Sequence, residues 1–230
     1  PWPKPRFDVL GDIVLDKLSG LFWTRNASLS QFPLNWSEAH EFVERLNSDR
    51  YANRNDWRLP ERRELFSLIS HAGINPSLPE DHPFCDVFHG YYWTATPCSR
   101  LPRQAWYVHL GGGRVFKGMK HGSYMVWPVG AGPEPLPRST SRFEVGESIV
   151  TDRVTGLAWT RGADLTGGRK VNWSDALAVV RTLNIAGASG FDDWRLPNVR
   201  ELESLVDPYD HSPALSKHAA FRNVQDAYWS

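Results

Sequence analysis

The sequence lacks the features that mark membrane proteins and strongly charged binding proteins. No apolar run approaches the roughly 18 residues that a transmembrane helix needs, so no membrane span is predicted. The formal net charge is zero, from 26 basic and 26 acidic residues, so no global field would draw the chain to nucleic acid. The chain begins at Pro1 without a methionine or a signal peptide, which is typical of a mature or trimmed product.

Cysteine is scarce, since the chain carries only Cys85 and Cys98. A disulfide between them would close a short loop and stabilise the fold by about 3 kcal/mol in the chain-entropy model. Two free, buried thiols are the equally supported alternative.

Signatures of catalysis and of metal binding are also missing. The eight histidines show neither His-x-x-x-His nor Glu-x-x-His spacing, so neither a zinc site nor a facial triad is predicted. No phosphate-binding loop, nucleophile elbow or dinucleotide fingerprint occurs. Asp207, Asp210 and Asp226 could supply oxygen ligands to calcium, but a solvated acidic loop is the favoured interpretation. The sequence therefore predicts neither a cofactor nor enzymatic activity.

Tryptophan, proline and glycine are abundant instead, with 11, 17 and 18 residues respectively. Aromatic side chains bury large areas at low entropic cost, which suits small β-rich domains and binding surfaces. Proline and glycine at this frequency indicate many turns and irregular loops.

One five-residue string occurs twice, as Asp56-Trp57-Arg58-Leu59-Pro60 and as Asp193-Trp194-Arg195-Leu196-Pro197. The residue before a proline is held extended, and each proline suits the first turn of a helix. Apolar residues then recur at helical spacing over 61–69 and 198–206. Each copy therefore predicts an extended segment, anchored in the core by its tryptophan, that leads into a short amphipathic helix. Arg58 and Glu64 are expected either to form a buried ion pair or to be solvated separately.

The second half of the chain repeats the first at an offset of 136 or 137 residues. Arg6-Phe7 returns as Arg142-Phe143, and Asn35-Trp36-Ser37 as Asn172-Trp173-Ser174. Such near-constant offsets mark an internal duplication. The predicted organisation is a first domain over 1–129, a Pro/Gly linker over 130–141 and a second domain over 142–230.

The second copy is shorter than the first. The first copy continues past Trp93 through strand-forming residues 94–129, whereas the second stops at Ser230. Either a C-terminal segment is missing from this sequence, or the second domain lacks its last strands. In the second case an unpaired edge would remain, and such an edge could recruit another chain.

Local patterns predict the elements of the first domain. Short alternating runs over 6–25 indicate a meander with tight turns. Residues 35–47 read as an amphipathic helix capped by Asn35 or Ser37. Strands are predicted at 91–96, 105–110 and 124–127, with a turn at 111–113.

The motifs taken together resemble a known family. Their order is Asp…Thr-Gly-Leu-x-Trp, Asn-Trp-Ser-x-Ala, Asp-Trp-Arg-Leu-Pro-x-x-x-Glu-Leu and Tyr-Trp-Ser/Thr, which is similar to the C-terminal domain of the Legionella collagen-like adhesin. This resemblance implies an α+β architecture of two tandem C-type-lectin-like domains, related to formylglycine-generating-enzyme domains. Each would have short antiparallel strands, two short helices and long irregular loops. The expected core residues are Trp23, Trp57, Leu59, Trp93, Trp159, Trp194 and Leu196.

The resemblance also carries expectations about location and partners. Members of this family are typically exported bacterial proteins, and the named adhesin binds sulfated polysaccharides. The chain is therefore expected to be secreted, at the cell surface or periplasmic. A shared fold alone transfers no function, so the site must be argued from its own residues.

One segment of the first domain is markedly basic. Between Val87 and Pro133 there is no acidic residue but five Lys or Arg, and cations among exposed aromatic side chains could bind an anionic polysaccharide. The alternative is a functionless basic surface whose aromatic residues lie in the core. The candidate ligand-binding residues are Arg100, Arg103, Arg114, Lys117, Lys120, His121 and Tyr124.

Three functional hypotheses follow. The first is a non-catalytic binding module that recognises a surface glycan, with an anionic glycan among the candidates, or another macromolecule. The second is a structural or accessory subunit of an extracellular or periplasmic assembly, joined to a protein partner through the open edge. The third is an enzyme of the formylglycine-generating type, although the surroundings of the two cysteines do not match that active site. A nucleic-acid partner is not expected, because no motif supports one.

Overall fold

The computed structural model describes residues 3–133, 142–207, 214–215 and 221–230. The chain divides into two compact units, Pro1–Pro137 and Arg138–Ser230. This division falls inside the predicted linker 130–141, of which residues 134–141 lie outside the described residues. Within the described ranges, no helix is both long enough and apolar enough to span a bilayer.

Both units are α+β, and they share one order of elements. The first unit contains β1 (Phe7–Leu10), β2 (Ile13–Asp16), β3 (Leu21–Thr24), α1 (Trp36–Ser48), α2 (Arg62–Ser67), β4 (Tyr91–Pro97), β5 (Gln104–His109), β6 (Arg114–Met119) and β7 (Val129–Gly130). The second contains β8 (Phe143–Val145), β9 (Ile149–Asp152), β10 (Leu157–Thr160), α3 (Trp173–Ile185) and α4 (Val199–Leu205). In the described residues the second unit thus repeats the first as far as α4.

The first unit holds two antiparallel sheets. One has the strand order β1-β2-β3-β7, and the other has the order β4-β5-β6. The predicted meander is present in both units, with glycines at positive φ in its turns, such as Gly20 and Gly156. A short two-residue strand, β7, adds to the first meander by pairing Phe22 with Gly130 and Trp23 with Val129.

Two strand predictions need correction. The strand β6 was missed, because its sequence mixes two basic residues and a glycine with only three apolar side chains. Residues 124–127 were expected to form a strand, yet only Tyr124 and Met125 make isolated bridges there. The paired strand β7 follows instead, so the first unit continues past the predicted boundary at 129.

The helices begin where polar caps allow them to begin. The side chain of Asn35 accepts hydrogen bonds from the backbone N–H groups of Ser37 and Glu38. The short helix α2 has Glu61 as its N-cap residue, so Pro60 precedes the cap and does not lie in the first turn. The predicted position of Pro60, in the first turn of the helix, was therefore wrong by two residues. The extended N-cap residue Glu61 lies between Pro60 and the first helical residue, Arg62.

Each repeated string is held by an asparagine from the preceding helix. Asn47 donates to the carbonyl of Trp57 at 2.8 Å and accepts from its N–H at 2.7 Å. Asn184 makes the same two bonds to Trp194 at 2.8 and 2.7 Å. The extended segment is therefore bound to the helix in both units in the same way.

The ion pair of the string also recurs. Arg58 binds both carboxylate oxygens of Glu64, at 2.7 and 2.6 Å, and Arg195 binds Glu201 likewise. The Arg58 side chain is 44 % exposed, so the pair exists but is not buried. The pKa of Arg58 is raised by its hydrogen bond to Glu64.

The predicted core tryptophans differ between the units. Trp23, Trp57, Leu59 and Trp93 are all buried, whereas Trp159, Trp194 and Leu196 are only half-buried. None of these three side chains is fully buried, and Trp159 packs against the core cluster of the second unit. In the first unit the segment from β5 to β7 completes the core, and the described part of the second unit contains no equivalent strands.

The two cysteines are free thiols, so the disulfide alternative is wrong. Cys85 is exposed and forms an isolated β-bridge with Asn26. Cys98 is buried just after β4. The expectation that both thiols are buried holds for Cys98 alone.

Candidate functional site

The strand register of the second sheet places aromatic residues on one face. Tyr107 lies opposite Phe116, and Tyr91 lies opposite His109. Because side chains alternate between the faces of a strand, positions paired in this way point to the same side. Tyr91, Tyr107, His109 and Phe116 therefore share a face.

Tyr124 completes this group from the segment that follows β6. Its ring centroid lies 5.4 Å from that of Tyr91 and 4.8 Å from that of Tyr107. Tyr91 lies 5.1 Å from Tyr107 and 4.7 Å from His109, and Tyr107 lies 6.2 Å from Phe116. These five residues, Tyr91, Tyr107, His109, Phe116 and Tyr124, are here called the tyrosine platform.

The tyrosine platform packs on the core on one side and is partly exposed to solvent on the other. Trp93, fully buried, lies 4.4 Å from Tyr124 and supports it from the core. Tyr91 and Phe116 remain 42 % and 48 % exposed. A contiguous set of exposed aromatic side chains marks an interaction site more often than scattered apolar residues do.

Gly118 gives Tyr124 the room to lie across the sheet. A Cβ at this position would lie 2.6 Å from the Tyr124 hydroxyl and 3.0 Å from Tyr107 Cε1. Any larger residue on this part of β6 would therefore displace a ring of the platform.

Two phenols of the platform, those of Tyr107 and Tyr124, are neutral at physiological pH, because their pKa values are raised. Burial raises the pKa of Tyr107, and the neighbouring hydroxyls of Tyr124 and Tyr91 raise it further. The pKa of Tyr124 is raised by burial and then by Tyr91. Protonated phenols both donate and accept hydrogen bonds, so this surface presents polar groups around its rings.

Two cations lie at the two ends of β6. Arg114, the first residue of the strand, pairs with His109 in the register and shares its face with Phe116 and Gly118. Lys120 follows Met119, the last residue of the strand, and its ammonium lies 4.2 Å above the ring of Trp36.

The remaining basic candidates are placed elsewhere. Lys117 pairs with Trp106, on the opposite face, where the guanidinium of Arg62 lies 4.7 Å from the Trp106 ring. Arg100 and Arg103 are exposed in the β4–β5 connection, and His121 is exposed after β6. The predicted basic residues are therefore divided among three places. Arg114 and Lys120 lie at the ends of β6 next to the platform, Lys117 lies on the opposite face, and the others lie in loops.

Within the described residues, no ion pair is formed by any of the five Lys and Arg candidates, which are Arg100, Arg103, Arg114, Lys117 and Lys120. The salt bridges there involve other arginines and lysines, such as Arg6, Arg54 and Arg58. Cations without acidic neighbours remain available to an anionic ligand at little cost, since no existing pair must be broken.

A second concavity lies beside α1, with a volume of about 400 Å³. Its polar lining includes His40, Glu44, Asn47 and Arg58. Burial lowers the pKa of His40, although the charge of Glu44 opposes this shift. Asn47 and Arg58 already serve the repeated string, so this cleft has fewer groups free for a ligand than the tyrosine platform.

The residues considered for calcium do not form a site in the part of the chain that the structure describes. No group of three His, Cys, Asp or Glu side chains able to hold a metal ion occurs there. Asp226 lies 3.7 Å from Lys170, and Asp210 lies outside the described residues.

Part of this site was predicted from the sequence. Arg114, Lys120 and Tyr124 were candidate ligand-binding residues, whereas Tyr91, His109 and Phe116 were not. A signal was present, because Tyr91-x-Trp93, Tyr107-x-His109 and Arg114-x-Phe116 each alternate with period two. Without β6 and its register, nothing showed that these three pairs share one face.

Comparison with protein-family models identifies one family. The family model of the Lcl C-terminal domain matches residues 12–130 and again residues 148–230. The two matches correspond to the two structural units. No curated protein shows detectable sequence similarity to the chain.

Proposed function

Because this chain belongs to the Lcl C-terminal domain family, an adhesin-type family, we propose that it is an exported, non-catalytic binding module. Its ligand is a glycan that carries anionic groups, and the binding surface is the tyrosine platform with Arg114 and Lys120. The single observation that carries this proposal is a partly exposed aromatic face with a cation at each end of β6, neither of which forms an ion pair in the described residues.

The aromatic part of the surface suits sugar rings. The face of an aromatic ring carries negative charge density, which attracts the polarised C–H groups on one side of a pyranose. Tyrosine adds a hydroxyl that can donate to or accept from sugar hydroxyls. Tyr91 and Phe116 are the most exposed members and would form the first contacts.

The cationic part of the surface suits sulfate or carboxylate groups. A guanidinium binds such groups through two parallel hydrogen bonds, and an ammonium binds them as a point charge. These contacts are exposed and are therefore weakened by salt. The proposal accordingly requires a salt-dependent component of affinity in addition to a salt-resistant aromatic component.

Binding of the full chain to immobilised heparin at low and high salt tests the proposal. We expect retention at low salt that falls as salt rises. Replacing both Arg114 and Lys120 with glutamine should weaken binding by roughly tenfold for each lost charge-assisted contact. Phe116→Ala should weaken binding at low and high salt alike.

Lys117→Gln is the matched control, because it removes the same charge from the same strand but on the opposite face. Phe32→Ala is the aromatic control, since Phe32 is 70 % exposed outside the platform. Both controls should bind like the unaltered chain. No retention at low salt, or an equal loss in Lys117→Gln, would contradict binding at this surface.

A further inference from the structure

The cleft beside α1 has the composition of a small-molecule site. Its volume is about 400 Å³, which falls within the range typical of pockets for small organic ligands. Val43, Leu59 and Ala95 give it apolar walls, and a few polar side chains interrupt them. Such sites are usually mostly apolar, with a small number of polar groups that fix the orientation of the ligand.

Two charged side chains of the lining, Arg58 and Glu44, differ in whether they are already paired. Arg58 binds Glu64 at 2.7 and 2.6 Å, so its positive charge is compensated. Glu44 forms no ion pair in the part of the chain that the structure describes. The Glu44 carboxylate is therefore available to a cationic group, because no existing pair has to be broken.

His40 lines the same cleft without adding positive charge to it. It precedes Glu44 by one helical turn, so the two side chains are neighbours on the surface of α1. Burial lowers the pKa of His40 from 6.5, the charge of Glu44 opposes this shift, and the charge of Lys120 adds to it. The Nε2 atom of His40 is enclosed and makes no hydrogen bond within the described residues. The imidazole is therefore neutral at physiological pH and does not compete with a ligand cation for Glu44.

The second unit repeats the frame of this cleft but not its charged lining. The residues that hold the repeated string, such as Asn47, return unchanged at an offset of 137 residues. At the same offset the equivalents of His40 and Glu44 are Leu177 and Arg181. The helix α3 therefore forms with a leucine and a cation at these two positions. Because the scaffold does not require an acid here, folding alone does not account for Glu44.

We propose that this cleft is a second ligand site of the first unit, for a small organic molecule that carries a primary ammonium group. Glu44 binds the ammonium, and the carbon atoms of the ligand pack against the apolar walls. The lining residues of the cleft are separate from the five residues of the tyrosine platform, so this site adds a ligand to the proposed recognition of a glycan.

The recognition has a polar part and an apolar part. An ammonium group has three N–H donors and no acceptor, and its hydrogen bond to a carboxylate is stronger than one between neutral groups. The carbon atoms next to the ammonium leave water when they pack against Val43, Leu59 and Ala95, which is favourable. An alkyl amine and an amino sugar both combine a cation with C–H surface in this way.

An NMR titration of the full chain with n-butylammonium tests the proposal, and neutral n-butanol is the matched probe. Saturable shifts of the backbone N–H signals of Val43 and Ala95 are expected, with one n-butylammonium per chain. Binding of n-butanol should be weaker by roughly tenfold or more, because it lacks the charge. Glucosamine and glucose repeat the comparison on a sugar ring. Binding of both cations supports a site for either carbon skeleton, and binding of n-butylammonium alone supports a site for alkyl amines.

Substitutions in α1 test the role of Glu44. Glu44→Gln keeps the size of the side chain, and Glu44→Arg introduces the residue type that the second unit has at this position, so the fold should accommodate both. Each should weaken n-butylammonium binding by roughly tenfold or more, and circular dichroism checks that each variant is folded. Glu41→Arg makes the same charge change at an exposed residue of α1 outside the cleft lining, and it should bind like the unaltered chain. Absence of saturable binding, equal binding of n-butanol, or an equal loss in Glu41→Arg would overturn the proposal.

Discussion

At the scale of single residues, an arginine–aspartate ion pair recurs in both meanders and is buried in the first. Arg6 binds Asp16 through two hydrogen bonds of 2.8 Å, and both side chains are almost wholly buried. Asp16 also accepts from the backbone of Leu18 and from the hydroxyl of Ser19. The Asp16 carboxylate therefore holds both the β2–β3 turn and the Arg6 side chain in place.

Asp16→Asn should destabilise the first unit by about 3–5 kcal/mol, because Arg6 would be left as an uncompensated buried charge. The equivalent Asp152→Asn should cost less in the second unit, since the side chain of Arg142 is 24 % exposed and can be solvated. Urea denaturation followed by tryptophan fluorescence measures both changes. Equal losses from the two substitutions would contradict this dependence on burial.

Acid should destabilise the second unit. Burial would raise the pKa of Asp152, but the hydrogen bond and charge of Arg142 lower it overall. The hydrogen bond from Arg195 likewise lowers the pKa of Glu201. The unfolded chain therefore binds protons at a higher pH than the folded chain does, so this stabilisation is present above the unfolded pKa values and is lost as pH falls through the folded ones.

Denaturation midpoints measured between neutral pH and pH 3 test this sign. For the unaltered chain, the denaturant concentration at the midpoint should decrease once the pH is below about 4–5, where the carboxyl groups of the unfolded chain begin to protonate. Glu201→Gln removes one titrating group and should flatten the decline. A midpoint that rises on acidification would show that these carboxylates do not stabilise the fold.

At the scale of elements, local chemistry predicted the meander, the capped helices and the extended strings. Asn35 and Asn172 cap their helices because an amide oxygen can accept the first free N–H groups, and this needs only neighbouring residues. The strand β6 could not be predicted in this way. Its residues gain their pairing from β5, so its existence depends on the register of a sheet more than on its own composition.

The same reason explains which part of the site was missed. Tyr124 and the basic residues stand out by type, but the tyrosine platform exists only because β5 lies between β4 and β6. Burial in the second unit was overestimated for a related reason. Trp194 and Trp57 sit in the same local motif, yet Trp57 is covered by elements that lie far along the chain.

Gly118→Ala tests the link between β6 and the platform. The added methyl group would meet the Tyr124 hydroxyl and the Tyr107 ring, so the rings must shift while the sheet keeps its hydrogen bonds. We expect weaker glycan binding with little change in unfolding midpoint. Gly162→Ala is the control, because its Cβ would meet nothing within 4 Å and the residue lies in the second unit, away from the platform residues in sequence. Unchanged glycan binding in Gly118→Ala would show that the positions of these rings do not matter for recognition of the glycan.

At the scale of the whole chain, duplication has produced two units with one scaffold and different surfaces. The meander, the capped helix and the Asp-Trp-Arg-Leu-Pro string recur in both. The tyrosine platform lies in the first unit, so glycan recognition is proposed for that unit.

The most direct measurement of the central proposal is an NMR titration of the full chain with a sulfated oligosaccharide, observing the aromatic and arginine side chains. Binding at the tyrosine platform predicts saturable shifts of Tyr91, Tyr107, Phe116, Tyr124 and Arg114, with one ligand per chain, and none at Lys117 or Phe32. Shifts confined to other residues, with the platform unperturbed at saturation, would contradict it.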